Sequence, residues 1–290
     1  MAIEILHEKI RKLKNPSMVD FAIREDMLPE HLLLQEDGFC PAYTRFCREL
    51  MAALKGIVPA VRFGFDDFAL LGPQGLVSLS QLLKEAGEMG YYVLLDAPAI
   101  HSPWCAQRIA ETVFGGDSYI CDGLVISPYI GTDAIKPFVP YCKKDKDIFA
   151  VLRSANKSAS ELQDLMTGSR LVYSAAADFV NRLGESILTR CGYSRIGAAV
   201  SAGATNSIRT IRSSYRGMFL LVDGLDYPSG NHKNCSYAFD RFGYGAVVSA
   251  GPSITAAWKE SEEENPDYIA CAVAAAQRMK KNLLRYITIL

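Results

Sequence analysis

The chain has no run of about 18 uninterrupted apolar residues, so no segment of it reads as a membrane-spanning helix. Its first residues, MAIEILHEKIRKLK, alternate charged and apolar positions at helical spacing and lack the apolar core of a secretory signal, so a cytoplasmic protein is the expectation. Net charge is nearly absent, −1 from 31 Lys plus Arg against 32 Asp plus Glu. That leaves no global field to draw nucleic acid or an anionic membrane, and neither is expected as a partner. The cysteines, at 40, 47, 105, 121, 142, 191, 235 and 271, include no C-x-x-C pair, which disfavours a disulfide framework or a zinc site and suits free thiols. No Ser/Gly/Pro linker or low-complexity run divides the chain, so residues 1–290 read as one domain. One further absence is local: no lysine lies between Lys84 and Lys136.

What is present is a repeating alternation. Short apolar runs occur at 17–23, 58–65, 91–97, 123–127, 147–153, 195–202, 218–224 and 245–251, each followed by polar or Gly/Pro residues and then a helical pattern. Strands that are apolar on both faces and alternate with helices imply a parallel sheet covered by helices, because parallel strands need crossover connections. Eight such units predict an α/β protein of the (β/α)₈ TIM-barrel class, with additional N-terminal and C-terminal helices; a doubly wound open sheet is the alternative. The last segment, PDYIACAVAAAQRMKKNLLRYITIL, reads as one long helix whose apolar face carries Ile269, Val273, Ala276 and Met279.

In a barrel of this kind function sits at the carboxyl ends of the strands. Those positions hold Asp20 and Ala22, Arg62 to Asp67, Asp96 to His101, Ser127 to Tyr129, Arg153 to Asn156, Ser201 to Thr205, Asp223 to Asp226, and Ser249 to Ser253. Carboxylates are frequent among them: Asp20, Asp66, Asp67, Asp96, Asp223 and Asp226. An anionic nucleotide would be repelled there, whereas a cation would not; the plainer interpretation makes most of them solvated loop residues or helix caps, and no metal site is inferred.

The segments GLVISPYIGTDAIKPF, DIFAVLRSANKSASELQDL, YSRIGAAVSAGATNSIRTIR, MFLLVDGLDYPSG and FGYGAVVSAGPSITAAW, in this order and spacing, resemble the orotidine 5′-phosphate decarboxylase family, type 2 branch, from about residue 16 to about 260. The resemblance implies conversion of orotidine 5′-phosphate to UMP and CO₂ in pyrimidine biosynthesis, without a cofactor, by a homodimer whose sites the partner subunit completes. It also implies an alternating Asp/Lys constellation: a lysine after the second strand and D-x-K-x-x-D after the third. The ring carbanion left by CO₂ needs a fixed cation to stabilise and protonate it.

This chain departs from that pattern where it should be tightest. The third-strand motif reads Asp96-Ala97-Pro98-Ala99-Ile100-His101, so Pro98 stands at the lysine position and His101 at the second carboxylate. The second-strand lysine corresponds to Arg62, the first-strand aspartate falls at Ala22 with Asp20 nearby, and the base-contacting residue of the fifth loop is Ala155. Pro228 replaces a glutamine and Pro252 the phosphate-gripping arginine. The remnant catalytic positions are therefore Arg62, Asp96 and His101, and the residues left to hold a nucleotide or other small molecule are Ser154, Asn156, Thr205, Gly224, Gly230, Ser249 and Gly251.

Each has an ordinary structural alternative. Asp96 can cap a helix, His101 can be a surface residue, and Arg62 can pair with Asp66, Asp67 or Asp96 rather than with a ligand. Trp104 and Tyr129 can stack on a base or seal a lid. The expectation is a family homologue with lost or strongly reduced decarboxylation. The alternatives are an unorthodox decarboxylase using Arg62 or Lys157 as its cation, a non-catalytic binding or regulatory protein, and a barrel enzyme with new chemistry around Asp96 and His101.

Overall fold

The computed structural model describes residues 2–22, 25–264 and 266–290. Eight parallel strands close a barrel: β1 Ser17–Phe21, β2 Ala60–Gly64, β3 Tyr92–Asp96, β4 Gly123–Ile126, β5 Asp147–Arg153, β6 Ile196–Ser201, β7 Leu220–Asp223 and β8 Ala246–Ala250. Each pairs with its neighbours in sequence order, and β8 returns to β1 through Ser17↔Val248 and Met18↔Ser249. All eight predicted runs become strands and the open-sheet alternative is excluded; Ile23, at the end of the first run, lies outside the described residues.

Strand alternation sorts side chains into two cores. Val19, Phe21, Val61, Phe63, Val93 and Leu95 face the helices, with Phe21 and Phe63 stacked at 5.1 Å, while Met18, Ala60, Tyr92, Leu94, Val125, Phe149, Leu221 and Val247 fill the barrel. Because β1 and β2 pair at Asp20↔Arg62 and β2 and β3 at Gly64↔Asp96, the polar residues at the strand ends lie on the interior face.

The barrel's floor is closed by the helix Ala2–Leu13, whose Ala2, Ile3, Leu6 and Ile10 recur at helical spacing and are buried with Tyr193 and Ile289. Full burial of each of the larger side chains contributes about 1.5–3 kcal/mol. The final helix ends at Leu283, shorter than the sequence suggests. Its buried face runs through Tyr268, Ala272, Ala275, Ala276, Met279 and Leu283, leaving Ile269 and Val273 half-buried at its edge.

Below the mouth, the interior holds a buried acid. Asp147 opens β5 and is fully buried; its Oδ2 accepts a hydrogen bond from Tyr92 Oη at 2.9 Å, and its Oδ1 has no partner among the described residues. Burial drives its carboxyl well above the usual carboxylate range, against the opposing influence of Tyr92 and Arg195.

Candidate functional site

The top layer of the barrel is built around one cation. Arg62, on β2, is buried, with its side chain 8% exposed. Its Nε donates to Asp96 Oδ1 at 2.8 Å and its Nη2 to Asp96 Oδ2 at 2.6 Å, a bidentate pair between neighbouring strands. On the other side Nη1 lies 2.9 Å from Asp223 Oδ1 and 3.6 Å from Asp20 Oδ2, in neither case aligned as a hydrogen bond. Three carboxylates from β1, β3 and β7 thus enclose one guanidinium.

The charges set each other's protonation. Burial works against the Arg62 charge, but Asp223, Asp96 and Asp20 outweigh it and hold the guanidinium firmly protonated. For Asp20 the balance falls the other way: burial, reinforced by Asp96 and Asp223 and only partly countered by Arg62, pushes its carboxyl up to about 7. Asp96 is raised for the same reasons, burial first. Three carboxylates against one guanidinium leave an excess of negative charge that a shared proton relieves.

The eighth strand continues this pattern. Asp226, in the loop after β7, accepts a hydrogen bond from the Gly251 backbone N–H at 2.6 Å, so a carboxylate of the chain itself caps the amide that leads out of β8. Pro252 follows and has no N–H to offer. Gly224 sits between these groups at φ +72°, and a Cβ there would meet Ala155 Cβ at 2.4 Å, so the loops after β5 and β7 close on each other. Between Asp20, Arg62, Asp223, Asp226 and Ser249 remains an open pocket of about 430 Å³.

A second arginine at the mouth is likewise engaged. A register shift between Val151 and Arg153 turns the end of β5, and Arg153 makes a bidentate pair with Asp164 through Nε and Nη2, both at 2.9 Å. Ser154 closes the same loop on itself: its N–H donates to Gln163 Oε1 at 2.9 Å and its Oγ to Asn156 Oδ1 at 2.6 Å.

Of the residues expected at the site, Arg62, Asp96, Gly224, Ser249 and Gly251 gather at the mouth, and Ala22 lines the same pocket. Ser154 and Asn156 lie in the self-bonded loop after β5, and Thr205 begins a helix beside a separate pocket shared with Arg153 and Asp164. Gly230 faces a pocket on the other side of Asp226, next to His232 and Arg278. His101 is exposed and has no hydrogen bond or ion pair among the described residues. Trp104 is exposed under Arg108, whose guanidinium carbon lies 4.1 Å from its ring centre, and Tyr129 Oη donates to the Leu152 carbonyl. Lys157 is exposed, and the cation paired with Asp96 is Arg62. Sequence reasoning marks Asp223 and Asp226 only as mouth carboxylates and does not find Asp164. No local pattern identifies the partners of these residues, because each contact joins different strands or loops.

No family model matches the chain. An orotidine 5′-phosphate decarboxylase from Rhodopirellula baltica is 32% identical to it over 234 residues, covering 79% of this chain and 78% of that one. The chain belongs to the orotidine 5′-phosphate decarboxylase family. A second decarboxylase of that name, from Clostridium novyi, is 26% identical over 289 residues, 98% of this chain and 99% of its own. Among solved structures, the Leishmania donovani OMP decarboxylase superposes with a TM-score of 0.77 at 20% identity over 99% of both chains, and the Plasmodium berghei enzyme with 0.77 at 13% over 98% of both. At such identities these two speak for the barrel fold. Within this family member, the third-strand end carries Asp96, Pro98 and His101, and the cation that faces Asp96 comes from β2.

Proposed function

We propose that this member of the orotidine 5′-phosphate decarboxylase family does not decarboxylate orotidine 5′-phosphate, and that its barrel mouth serves as a small-molecule binding site of altered chemistry. The observation that carries this reading is the enclosure of Arg62 by Asp20, Asp96 and Asp223, with Pro98 two residues beyond Asp96. A decarboxylation through a ring carbanion needs a cation directed at the carbon that loses CO₂ and a proton to deliver there. Arg62 is held away from that task by its bidentate pair with Asp96, its pKa is raised rather than lowered, and a proline contributes no ammonium. Loss of one preorganised charged group costs on the order of 10²–10³ in rate. The substrate's phosphate would meet Asp226 at the Gly251 amide and a net negative mouth.

Purified chain should release CO₂ from orotidine 5′-phosphate at least about 10³-fold more slowly than the Rhodopirellula baltica relative under the same conditions. A rate within about tenfold of that relative would overturn the proposal. A homodimer, implied by the family resemblance, belongs to the same reading, and sedimentation velocity checks it.

One observation favours a second reading, an enzyme with acid–base chemistry of its own. Asp20, raised to about 7 at the edge of an open pocket, can hold or release a proton at neutral pH, as a general acid or base must. The centre of such chemistry would be Asp20 and Asp96 rather than the exposed His101.

A further inference from the structure

One polar atom at the mouth pocket is left without any partner among the described residues, and a second is held only by an ion pair. Ser249, on β8, is 2% exposed, and its Oγ has no hydrogen-bond partner among the described residues; Nη1 of Arg62 makes no aligned hydrogen bond but lies 2.9 Å from Asp223 Oδ1. Both residues line the 430 Å³ pocket. Buried hydroxyl and guanidinium groups are rarely left without partners, since each unmade bond carries the desolvation cost of the group. The Ser249 hydroxyl, buried and unpartnered at this pocket, indicates a hydrogen-bonding ligand with an oxygen to offer.

The surrounding charge says which kind. Asp20, Asp223 and Asp226 line the pocket and Asp96 flanks it, against the single guanidinium of Arg62. Asp223, which lines the pocket, keeps 38% of its side chain exposed. An anion entering here meets more negative than positive charge, while a cation does not. The centre where the carboxylates converge is already occupied by the Arg62 guanidinium, so a metal ion among them would lie against a like charge.

We propose that this pocket binds a small hydroxylated organic cation, its ammonium held by Asp223 and Asp226 and its hydroxyl by Ser249 Oγ. The inference rests on the reading above, in which the mouth is closed to orotidine 5′-phosphate, and it names the class of ligand that replaces it. The ligand's oxygen completes the unpartnered Ser249 Oγ, and its charge offsets the carboxylate excess.

Three probes that share one carbon skeleton and differ in charge test this: 1,3-diamino-2-propanol, glycerol and tartronate. Binding is followed by NMR titration at the Gly224 and Gly251 backbone amides, which touch Asp223 and Asp226. The diamine should bind at least about tenfold more tightly than glycerol, and tartronate should not bind; one lost ion pair of about 1.4 kcal/mol corresponds to tenfold. Asp223→Asn, whose side-chain oxygen can still accept from the Gly224 N–H, should weaken the diamine about tenfold, and Ser249→Ala should weaken it severalfold. Equal binding of glycerol, binding of tartronate, no shift with the diamine at millimolar excess, or indifference to Asp223→Asn overturns the inference. Failure of the diamine in a chain that also lacks orotidine 5′-phosphate turnover removes only this inference; turnover like that of the relative removes both readings.

Discussion

Replacing Asp20 with asparagine should change how stability depends on pH, and the size of the change follows from the mouth's geometry. The Asp20 carboxyl is raised from the ordinary 3.8 to about 7 by burial and by Asp96 and Asp223. An acid whose folded value lies above its unfolded value favours folding fully only below the unfolded value, and that contribution is lost as pH rises through the folded one. The window is therefore about pH 4 to 7. At about 1.36 kcal/mol per unit, the full shift corresponds to roughly 4 kcal/mol. The Asp20 side chain remains 23% exposed and its proton is shared with neighbouring carboxylates, so about half of that, ~2 kcal/mol, is the expected size. The substituted amide titrates nowhere, and it leaves Asp96 with one fewer negative neighbour. Urea denaturation of both proteins between about pH 4.5 and 8 reads this directly. The wild type should lose about 2 kcal/mol relative to Asp20→Asn across that range; a gap constant to within about 0.5 kcal/mol would refute the electrostatic description of the site.

Two further outcomes follow from the same structure. Arg62→Met leaves Asp20, Asp96 and Asp223 without their cation and should destabilise the fold at pH 7 by about 3–5 kcal/mol, less at pH 4, where the raised acids Asp20 and Asp96 take up protons; equal losses at the two pH values would contradict it. Asp147→Asn mimics the protonated acid that burial favours against Tyr92, so it should be more stable than the wild type at pH 8 and lose that advantage as the pH falls; a mutant less stable at pH 8 would show that the carboxylate is buried as an ion.

The barrel was legible because its strands are buried on both faces and so appear as continuous apolar runs between helical patterns. Phe21, Phe63 and Leu95 announce the helix-facing side, and Asp20, Arg62 and Asp96 then fall on the interior by alternation alone. Burial of Asp147 was also open to that argument, since it shares a face with Phe149 and Val151, yet its charge made it look like a strand boundary. Among the partners, Asp96 for Arg62 was one of three that the sequence offered, and the others could not be read. Asp223 meets Arg62 across the barrel from a distant strand of the sequence, Asp226 caps Gly251 from one loop to the next, and Arg153 finds Asp164 because a bulge turns it aside. Each depends on closure of the barrel and loop packing, which no local spacing encodes. The final helix buries a face rotated by about one residue position from the one its sequence suggests, since Ala-rich segments offer little contrast between their sides.

The cation at the mouth of this barrel is already neutralised from within. Calorimetric titration with UMP at neutral pH and low salt tests it most directly, because a phosphorylated nucleotide would need Arg62 and the Gly251 amide, both now held by aspartates. No binding up to about millimolar concentration is the expected result. A micromolar dissociation constant would contradict it, since a nucleotide would then have displaced carboxylates placed as close as 2.6 Å from those groups.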